Sequence, residues 1–320
     1  MFDQYCVITV PPYVHVRRLV PQEFYEVSEA DRRRWRPLPR QRCPKPLVFH
    51  DGRLAFRPTP AATLVMFLWL PVAVPLATFR LVAALFLPYK LSTLIEAMTG
   101  VRWYLKGALP PPPPRDSALK GRLFACNHRT LADPIYISIA LDKPVTAVTY
   151  SLSKVSEWVS LIKTARLTKS KEEDRKLMEE LLRKGDLVVC PEGTTCREPY
   201  LLRFSPLFTE LCNEVVPVAV DVKVSMFYAT TARGFKGLDT FYFLMNPWTR
   251  YEMEFLERIQ TSSAVREGRC SSFDMANRVQ AVIGRALRFE CTSLTRKDKY
   301  LMLAGNEGVV AGGAAMKPSR

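Results

Sequence analysis

Histidine, paired cysteine and internal repetition are scarce or missing in this chain. Its 320 residues include three histidines, so few imidazoles are available for catalysis or for binding a metal. The eight cysteines form no CxxC pair and no zinc-type spacing, which argues against a metal site and indicates reduced thiols at a cytosolic redox potential. No internal repeat is present, which argues against a solenoid or a propeller.

Several signals of other protein classes are also lacking. There is no G-x-S-x-G nucleophile elbow and no secretory pattern at the start of the chain. Acidic residues are outnumbered, with 46 Lys and Arg against 31 Asp and Glu, and the net charge is +15. Such a surplus attracts phosphates or anionic lipids. The basic residues are scattered and carry no zinc or RNA-recognition signature, so we expect no nucleic-acid partner.

The N-terminal third is dominated by one long apolar segment. Residues 1–46 are rich in Arg and Pro and predict an irregular segment. Within residues 47–107, positions 61–79 carry no charge, which is about the length needed to cross a hydrocarbon core. We predict a membrane-embedded helical segment here, and the alternative is a buried core helix. Pro71 and Pro75 leave open whether it spans once or turns back.

Five consecutive prolines, Pro110 to Pro114, follow this segment and predict a stiff linker over residues 108–115. Residues 116–305 then alternate strand-like and helix-like patterns, and residues 306–320 form a flexible tail. The pattern predicts an α/β domain with a mixed central sheet flanked by helices. The predicted strands are 122–126, 144–150, 186–190, 215–221 and 251–259, and an amphipathic helix is predicted over 272–290.

A second amphipathic helix is predicted over residues 170–185. Ser170 and Glu173 have the spacing of a capping box at its start. Gly185 is suited to a left-handed residue at its end. Both ends of this helix are therefore predicted from local sequence.

The stretch FACNHRTLADP places a histidine in the loop after an apolar strand. His128 follows Asn127 at the carboxyl end of that strand, where open α/β sheets bind their ligands. Asp133, five residues later, can orient the imidazole. It can also be a helix N-cap and nothing more, because Pro134 follows it.

A second polar loop follows the buried strand DLVVC. It presents Glu192, Gly193, Thr194 and Thr195, with Arg197 beside them. Taken alone, PEGT is an ordinary turn. Two polar loops at the ends of neighbouring strands instead predict one site.

These two loops resemble the motif blocks of a known family. NHRTLADP resembles the HxxxxD block of glycerolipid acyltransferases, and PEGTTCREP resembles their EGT block. The match is closest to the land-plant glycerol-3-phosphate acyltransferases, the sn-2-selective, cutin- and suberin-associated family, and it runs over about residues 47–307. The resemblance implies a glycerolipid-acyltransferase-type domain that moves an acyl group from acyl-CoA to a hydroxyl of glycerol 3-phosphate.

The resemblance also implies residue roles. His128 would be the general base and Asp133 would hold its tautomer. An imidazole of near-neutral pKa is chemically suited to removing the hydroxyl proton. Glu192, Gly193 and Thr194 would shape the pocket and engage the glycerol hydroxyls.

Phosphate contacts are implied for three basic residues. These are Arg166 and Lys169 in KTARLTKS, and Arg197. Two of the positions depart from the wider pattern, because Thr195 stands where related enzymes read EGTR, and Lys169 stands where they end a block with Arg. The phosphate roles of Arg197 and Lys169 are weakened by these departures.

The family further implies a setting for the reaction. No cofactor is needed, acyl-CoA is the co-substrate, and the bilayer is a partner. The location implied is the endoplasmic reticulum membrane, with the site on the cytosolic side. Residues 1–46 lack the aspartate-rich phosphatase motif found in some members. We therefore expect lysophosphatidic acid as the product, or an N-terminally truncated sequence.

Two other interpretations stay open at this point. Cys196 paired with His128 would make a thioesterase or lipase. The chain can also be a truncated homologue that keeps the membrane fold without turnover.

Overall fold

A computed structural model describes residues 60–112, 120–149, 162–168, 170–197, 199–211, 214–229, 237–261 and 270–296. The predictions for residues 1–46 and 306–320 lie outside these ranges. The described helices are α1 Pro60–Phe86, α2 Tyr89–Met98, α3 Asp133–Leu141, α4 Lys171–Lys184, α5 Leu207–Leu211, α6 Gly237–Leu244 and α7 Ser272–Leu287. The described strands are β1 Val101–Lys106, β2 Leu123–Cys126, β3 Thr146–Thr149, β4 Lys163–Arg166, β5 Leu187–Val189, β6 Tyr200–Leu201, β7 Glu214–Val224, β8 Thr249–Phe255, β9 Ile259–Gln260 and β10 Glu290–Cys291.

The central sheet is mixed, as predicted. Its order is β1-β8-β7-β2-β5-β3-β4, with β9 paired to β7. Strands β7, β2, β5, β3 and β4 run parallel to one another, whereas β8 and β9 run antiparallel to β7. The loops that follow β2 and β5 therefore leave the same edge of the sheet from adjacent strands.

Apolar layers cover both faces of the sheet. Phe124 of β2 lies in a cluster with residues of α1, α3 and α6, while its neighbours Leu123 and Ala125 lie in a second cluster with residues of α4, α5 and α7. All four residues of β2 are buried. Short strands that are apolar on both faces are typical of parallel sheets covered by helices on both sides. This burial explains why β2 and β5 read as continuous apolar runs.

The ends of α4 differ from their prediction in detail. Ser170 is the N-cap residue, but its side chain makes no capping hydrogen bond. Thr168, two residues earlier, donates its hydroxyl to Glu173 Oε2 at 3.0 Å and its backbone N–H to Asp174 Oδ1 at 2.6 Å, so acidic side chains of the first turn bind the preceding loop. Gly185 is extended, with φ 169°. The predicted capping box and left-handed stop are therefore both wrong, although the helix itself is confirmed.

Helix α1 continues through both of its prolines. At 1.5 Å per residue, its 27 residues are about 40 Å long. Among the described helices, Leu64–Phe86 is long and apolar enough to cross a membrane, and 22% of that window is buried. Leu68 and Phe86 are more than 70% exposed, so α1 is not the core helix of the alternative interpretation.

One face of α1 is attached to the domain. The indole of Trp69 donates to the carbonyl of Met245 at 2.9 Å. Arg80, the one charged residue of α1, is completely buried. Its guanidinium donates to the carbonyls of Leu244 at 2.6 Å and Asn246 at 2.9 Å, and to the hydroxyl and carbonyl of Thr99. The charge is thus satisfied by groups at the end of α6 and the end of α2.

The sheet also crosses the predicted boundary at the prolines. β1 lies within the range assigned to the membrane segment, yet it pairs parallel with β8 from Val101↔Thr249 to Lys106↔Glu254. Arg122 donates to the carbonyls of Pro110 and Pro111 at 3.0 and 3.1 Å. Residues on both sides of the proline run therefore belong to one sheet, and residues 113–119 lie outside the described part of the chain.

Replacing Arg80 with Met tests its role in holding α1. The change leaves the buried carbonyls of Leu244, Asn246 and Thr99 without their donor, which we expect to cost about 3 kcal/mol. For a chain of this size, that loss lowers the midpoint of thermal unfolding by roughly 5–10 °C. Arg102→Met, at an exposed position of β1, is the control. Equal midpoints for the two variants in detergent would contradict the assignment.

Candidate active site

The loop between β2 and α3 carries the predicted histidine and aspartate. The side chain of Asn127 extends the pairing of β2 with β7. Its Nδ2 donates to the Val220 carbonyl at 2.9 Å, and its Oδ1 accepts from the Val220 N–H at 2.8 Å. His128 comes next, with Nδ1 at 2.9 Å from Oδ2 of Asp133. The imidazole is 14% exposed and the carboxylate is fully buried. The ring therefore has one side toward solvent and one toward the acid.

The carboxylate of Asp133 is turned back toward this loop. Oδ2 accepts from the backbone N–H of Arg129 at 2.6 Å and of Thr130 at 3.0 Å, and Oδ1 accepts from the Thr130 hydroxyl at 2.8 Å. Helix α3 begins at Asp133, and its N-cap residue Ala132 makes no side-chain cap. The N-cap interpretation of Asp133 is therefore wrong, since its partners precede the helix. Because Asp133 accepts from Nδ1–H, Nε2 is left as the basic nitrogen.

A tyrosine that sequence reasoning missed completes the shell of Asp133. The hydroxyl of Tyr251 donates to Oδ1 at 2.8 Å, and its side chain is 1% exposed. Its ring lies 4.4 Å from that of Tyr136, whose hydroxyl donates to Glu96 at 3.2 Å. Burial and the neighbouring Asp133 charge hold the pKa of Tyr251 well above its usual range, so it stays a donor. In the sequence, the alternation of apolar and polar residues along β8 is the signal that indicates an inward-pointing Tyr251 side chain.

Glu192 in the second loop has a role different from the predicted contact with glycerol hydroxyls. Its Oε1 accepts from the backbone N–H of His128 at 2.8 Å, and its Oε2 accepts from that of Leu202 at 3.0 Å. Burial raises the pKa of Glu192 to about 7, against the opposing effect of those two bonds. Gly193 follows with φ 68°, a left-handed conformation that favours glycine. Glu192 thus fixes the backbone on which His128 sits.

The first loop reaches back to the second through Arg129. Its guanidinium donates to the carbonyls of Cys196 at 2.7 Å and Arg197 at 2.6 Å. The backbone N–H of Cys196 donates to the carbonyl of His128 at 2.7 Å. Each loop therefore holds the backbone of the other.

The thiol that contacts His128 belongs to Cys190 and not to Cys196. Cys190 lies beside the imidazole and beside Cys126, whose own thiol donates to the Asn127 carbonyl at 2.8 Å. Burial lowers the pKa of His128. The charge of Cys190 and the hydrogen bond between His128 and Asp133 outweigh that effect and raise the pKa of His128 to about 10. The thiol of Cys196 instead donates to the Tyr200 carbonyl at 3.6 Å. The Cys196–His128 thioesterase interpretation has no geometric support.

The predicted substrate-binding residues are only partly brought together. Gly193 and Thr194 stand beside Glu192, with Thr194 6% exposed. Arg197 lies in the same loop with its guanidinium 4.1 Å from the ring centre of Tyr228. Arg166 is exposed at the end of β4, two strands from β5 and so about 10 Å away along the same edge.

Lys169 lies outside the described residues. Within the described ranges, no group of three or more His, Cys, Asp or Glu side chains could hold a metal ion.

Removing the Tyr251 hydroxyl tests whether Tyr251 positions the catalytic pair. In Tyr251→Phe, Asp133 loses one buried donor, so the carboxylate holds His128 less firmly. We expect kcat for acyl transfer to fall about tenfold, with KM nearly unchanged. A tenfold fall corresponds to a rise of about 1.4 kcal/mol in the activation free energy. Tyr104→Phe, on β1, is the matched control. A fall in thermal stability with unchanged kcat would show a purely structural role.

The chain is similar to known acyltransferases. The acyltransferase family profile matches residues 114–224, a range that begins before β2 and ends at the last residue of β7. Glycerol-3-phosphate acyltransferase 1 of Arabidopsis thaliana is 55% identical over 273 residues, covering 85% of this chain and 46% of that protein. Probable glycerol-3-phosphate acyltransferase 3 of the same plant is 54% identical over 295 residues, covering 90% and 56%.

A third relative comes from another plant. Glycerol-3-phosphate acyltransferase RAM2 of Petunia hybrida is 50% identical over 275 residues, covering 86% of this chain and 57% of that protein. The chain spans about half the length of the relatives that it matches. The matched region, with both motif loops on adjacent strands, is thus an acyltransferase domain by its family profile, and the chain is similar to plant glycerol-3-phosphate acyltransferases over about half of their length.

Proposed function

We propose that this chain transfers an acyl group from acyl-CoA to a hydroxyl of glycerol 3-phosphate and releases lysophosphatidic acid and CoA. The observation that carries the proposal is the His128–Asp133 pair, with Nδ1 held at 2.9 Å from a fully buried carboxylate. The names of the relatives supply the substrate class. No cofactor enters the proposal, because acyl-CoA already carries an activated thioester.

The reaction needs one proton to be moved twice. Nε2 of His128 removes the proton from the substrate hydroxyl as its oxygen attacks the thioester carbonyl, and Asp133 stabilises the imidazolium that forms. The tetrahedral intermediate then collapses with cleavage of the carbon–sulfur bond. The leaving thiolate of CoA takes the proton back from Nε2. The alcohol is the nucleophile, so no acyl-enzyme intermediate is required.

The protonation state of His128 sets the pH dependence of this step. Only the neutral imidazole can act as a base, and Cys190 and Asp133 raise the pKa of His128 to about 10. The neutral fraction therefore grows as pH rises from 7 toward 10. The rate of acyl transfer should rise over the same window.

The phosphate of the acceptor is assigned to the basic side of the site. Arg197 follows the EGT block, and Arg166 stands at the same sheet edge. A guanidinium binds phosphate through two parallel N–H donors. Lys169, three residues after Arg166 in the sequence, is a further candidate for the same anion.

Membrane attachment and location belong to the same proposal. The exposed apolar face of α1 would enter the bilayer, where acyl-CoA is concentrated. The endoplasmic reticulum, a cytosolic site, the sn-2 position and a place in cutin or suberin synthesis rest on the resemblance of the two motif blocks.

The test of the base is His128→Gln, which keeps a polar side chain of similar size without a base. We expect acyl transfer to fall at least about 100-fold, the usual size of general-base catalysis, with an unchanged circular dichroism spectrum. The assay uses membranes expressing the chain, labelled acyl-CoA and glycerol 3-phosphate. Product analysis by chromatography then reads both the acylated position and the phosphate. Wild-type chain that folds but gives no product would favour a non-catalytic homologue.

The phosphate assignment is tested by Arg166→Ala and Arg197→Ala. Loss of a charged contact to the phosphate should raise KM for glycerol 3-phosphate about tenfold, with a smaller change in KM for acyl-CoA. Lys143→Ala removes the same charge in the turn after α3, at the opposite edge of the sheet, and should leave KM unaltered. Equal KM values in all three variants would contradict the assignment of the phosphate to Arg166 and Arg197.

A further inference from the structure

Two cysteines lie opposite each other at the base of the site. In the parallel pairing of β2 with β5, Ala125 is the partner of Val189, so the next residues, Cys126 and Cys190, face each other across neighbouring strands. Adjacent strands are about 4.8 Å apart, which lies within the Cα separation of about 4.4–6.8 Å that a disulfide spans. Both side chains belong to the same apolar cluster on one face of the sheet, and the Cys126 thiol donates to the carbonyl of Asn127 at 2.8 Å.

The two thiols differ in environment. Cys126 is fully buried, and burial raises its pKa well above the usual range. Cys190 is partly exposed and touches His128. The neighbouring Cys126 thiol and the positive charge of His128 lower the pKa of Cys190 to about 6, although burial acts in the opposite direction. Near neutral pH, one thiol is thus an accessible nucleophile and the other is a protonated neighbour.

We propose that Cys190 and Cys126 form an oxidisable thiol pair, in which the Cys190 thiolate attacks hydrogen peroxide and Cys126 then closes a disulfide across β2 and β5. The Cys190 thiolate takes the distal oxygen of the peroxide. The O–O bond breaks, an S–O bond forms, and the other oxygen leaves as hydroxide, so that the sulfur loses two electrons. Cys126 then attacks the sulfenic acid, forms the S–S bond and releases water.

The disulfide has a consequence that rests on the proposed function. It removes the thiol that contacts His128 and draws that sulfur toward Cys126, so that the surroundings of the imidazole change. Without the Cys190 charge, the pKa of His128 falls and more of the imidazole is neutral at pH 7. Acyl transfer at pH 7 should therefore rise on oxidation and return to its starting rate on reduction. The pairing chemistry itself does not depend on turnover.

The first experiment follows the thiols alone. The full chain in detergent is treated with hydrogen peroxide at pH 7, blocked with iodoacetamide, digested and mapped by mass spectrometry without reduction. We expect a peptide linking Cys126 to Cys190 that disappears after dithiothreitol. Cys126→Ala should yield sulfenic acid at Cys190, trapped with dimedone, and no cross-link. Absence of both the cross-link and the trapped sulfenic acid would overturn the proposal.

The pH dependence of thiol alkylation supplies a second measurement, which does not require the Cys126→Ala variant to fold. Cys190 should react with iodoacetamide at pH 7, and its reaction should need a pH higher by one unit or more in His128→Gln, where the stabilising charge is gone. Cys291 is the internal control, because burial and Glu290 raise its pKa to about 11. Equal reactivity of Cys190 and Cys291 at pH 7 would contradict the pair.

The last experiment separates this inference from the proposed function. Acyl transfer is measured after peroxide and again after dithiothreitol, for wild type and for Cys126→Ala, each relative to its own untreated rate. A reversible rise in the wild type supports the regulatory consequence, and in Cys126→Ala the disulfide cannot contribute to any rise. Cross-linking without a change in rate would overturn that consequence alone. A chain that cross-links but never turns over would contradict the proposed function and leave the thiol pair standing.

Discussion

The buried carboxylate of Asp133 is the charge that the rest of the site satisfies. An isolated carboxylate in an apolar interior is strongly unfavourable, so it is retained only with donors around it. The donors here are the imidazole of His128, the backbone N–H groups of Arg129 and Thr130, the Thr130 hydroxyl and the Tyr251 hydroxyl. Their geometry fixes the path of the loop and the tautomer of His128 together.

The same logic joins two loops that are distant in sequence. Glu192 accepts from the backbone of His128, and Arg129 donates to the backbone of Cys196 and Arg197. These bonds are formed because β2 and β5 are neighbours in the sheet and end at one edge. A general base that must lie within hydrogen-bond reach of its substrate benefits from such rigid support. The EGT block thus acts on the chemistry by holding the HxxxxD block in place.

The sequence was sufficient for the central strands β2 and β5 and for the pairing of His128 with Asp133, because both depend on short-range patterns. Apolar runs bounded by polar loops located β2 and β5, and a five-residue separation allowed the side chains to meet. The sequence was not sufficient for β1, which lies in the range predicted as a membrane segment. Nor was it sufficient for Tyr251, which is 118 residues from Asp133. Its contact depends on β8 lying beside β7 and β7 beside β2, an order that local patterns do not specify.

Errors at single residues had a similar cause. Ser170 and Cys196 each had the right chemistry for the role predicted for them. The structure leaves the Ser170 side chain without a capping hydrogen bond and places Cys190 beside His128. Side-chain partners are decided by rotamers and by the approach of other segments, so several residues of one type in a loop are equivalent in sequence and not in space.

Helix α1 shows how one charged residue constrains an apolar segment. A guanidinium among lipid tails is costly, and Arg80 avoids that cost because carbonyls of α6 and α2 accept its donors inside the domain. The face of the helix that contains Arg80 is therefore held against the domain, while Leu68, Phe79 and Phe86 stay exposed. Lipid can cover that outer face without separating α1 from the sheet. The helix and the catalytic domain consequently form one packed unit.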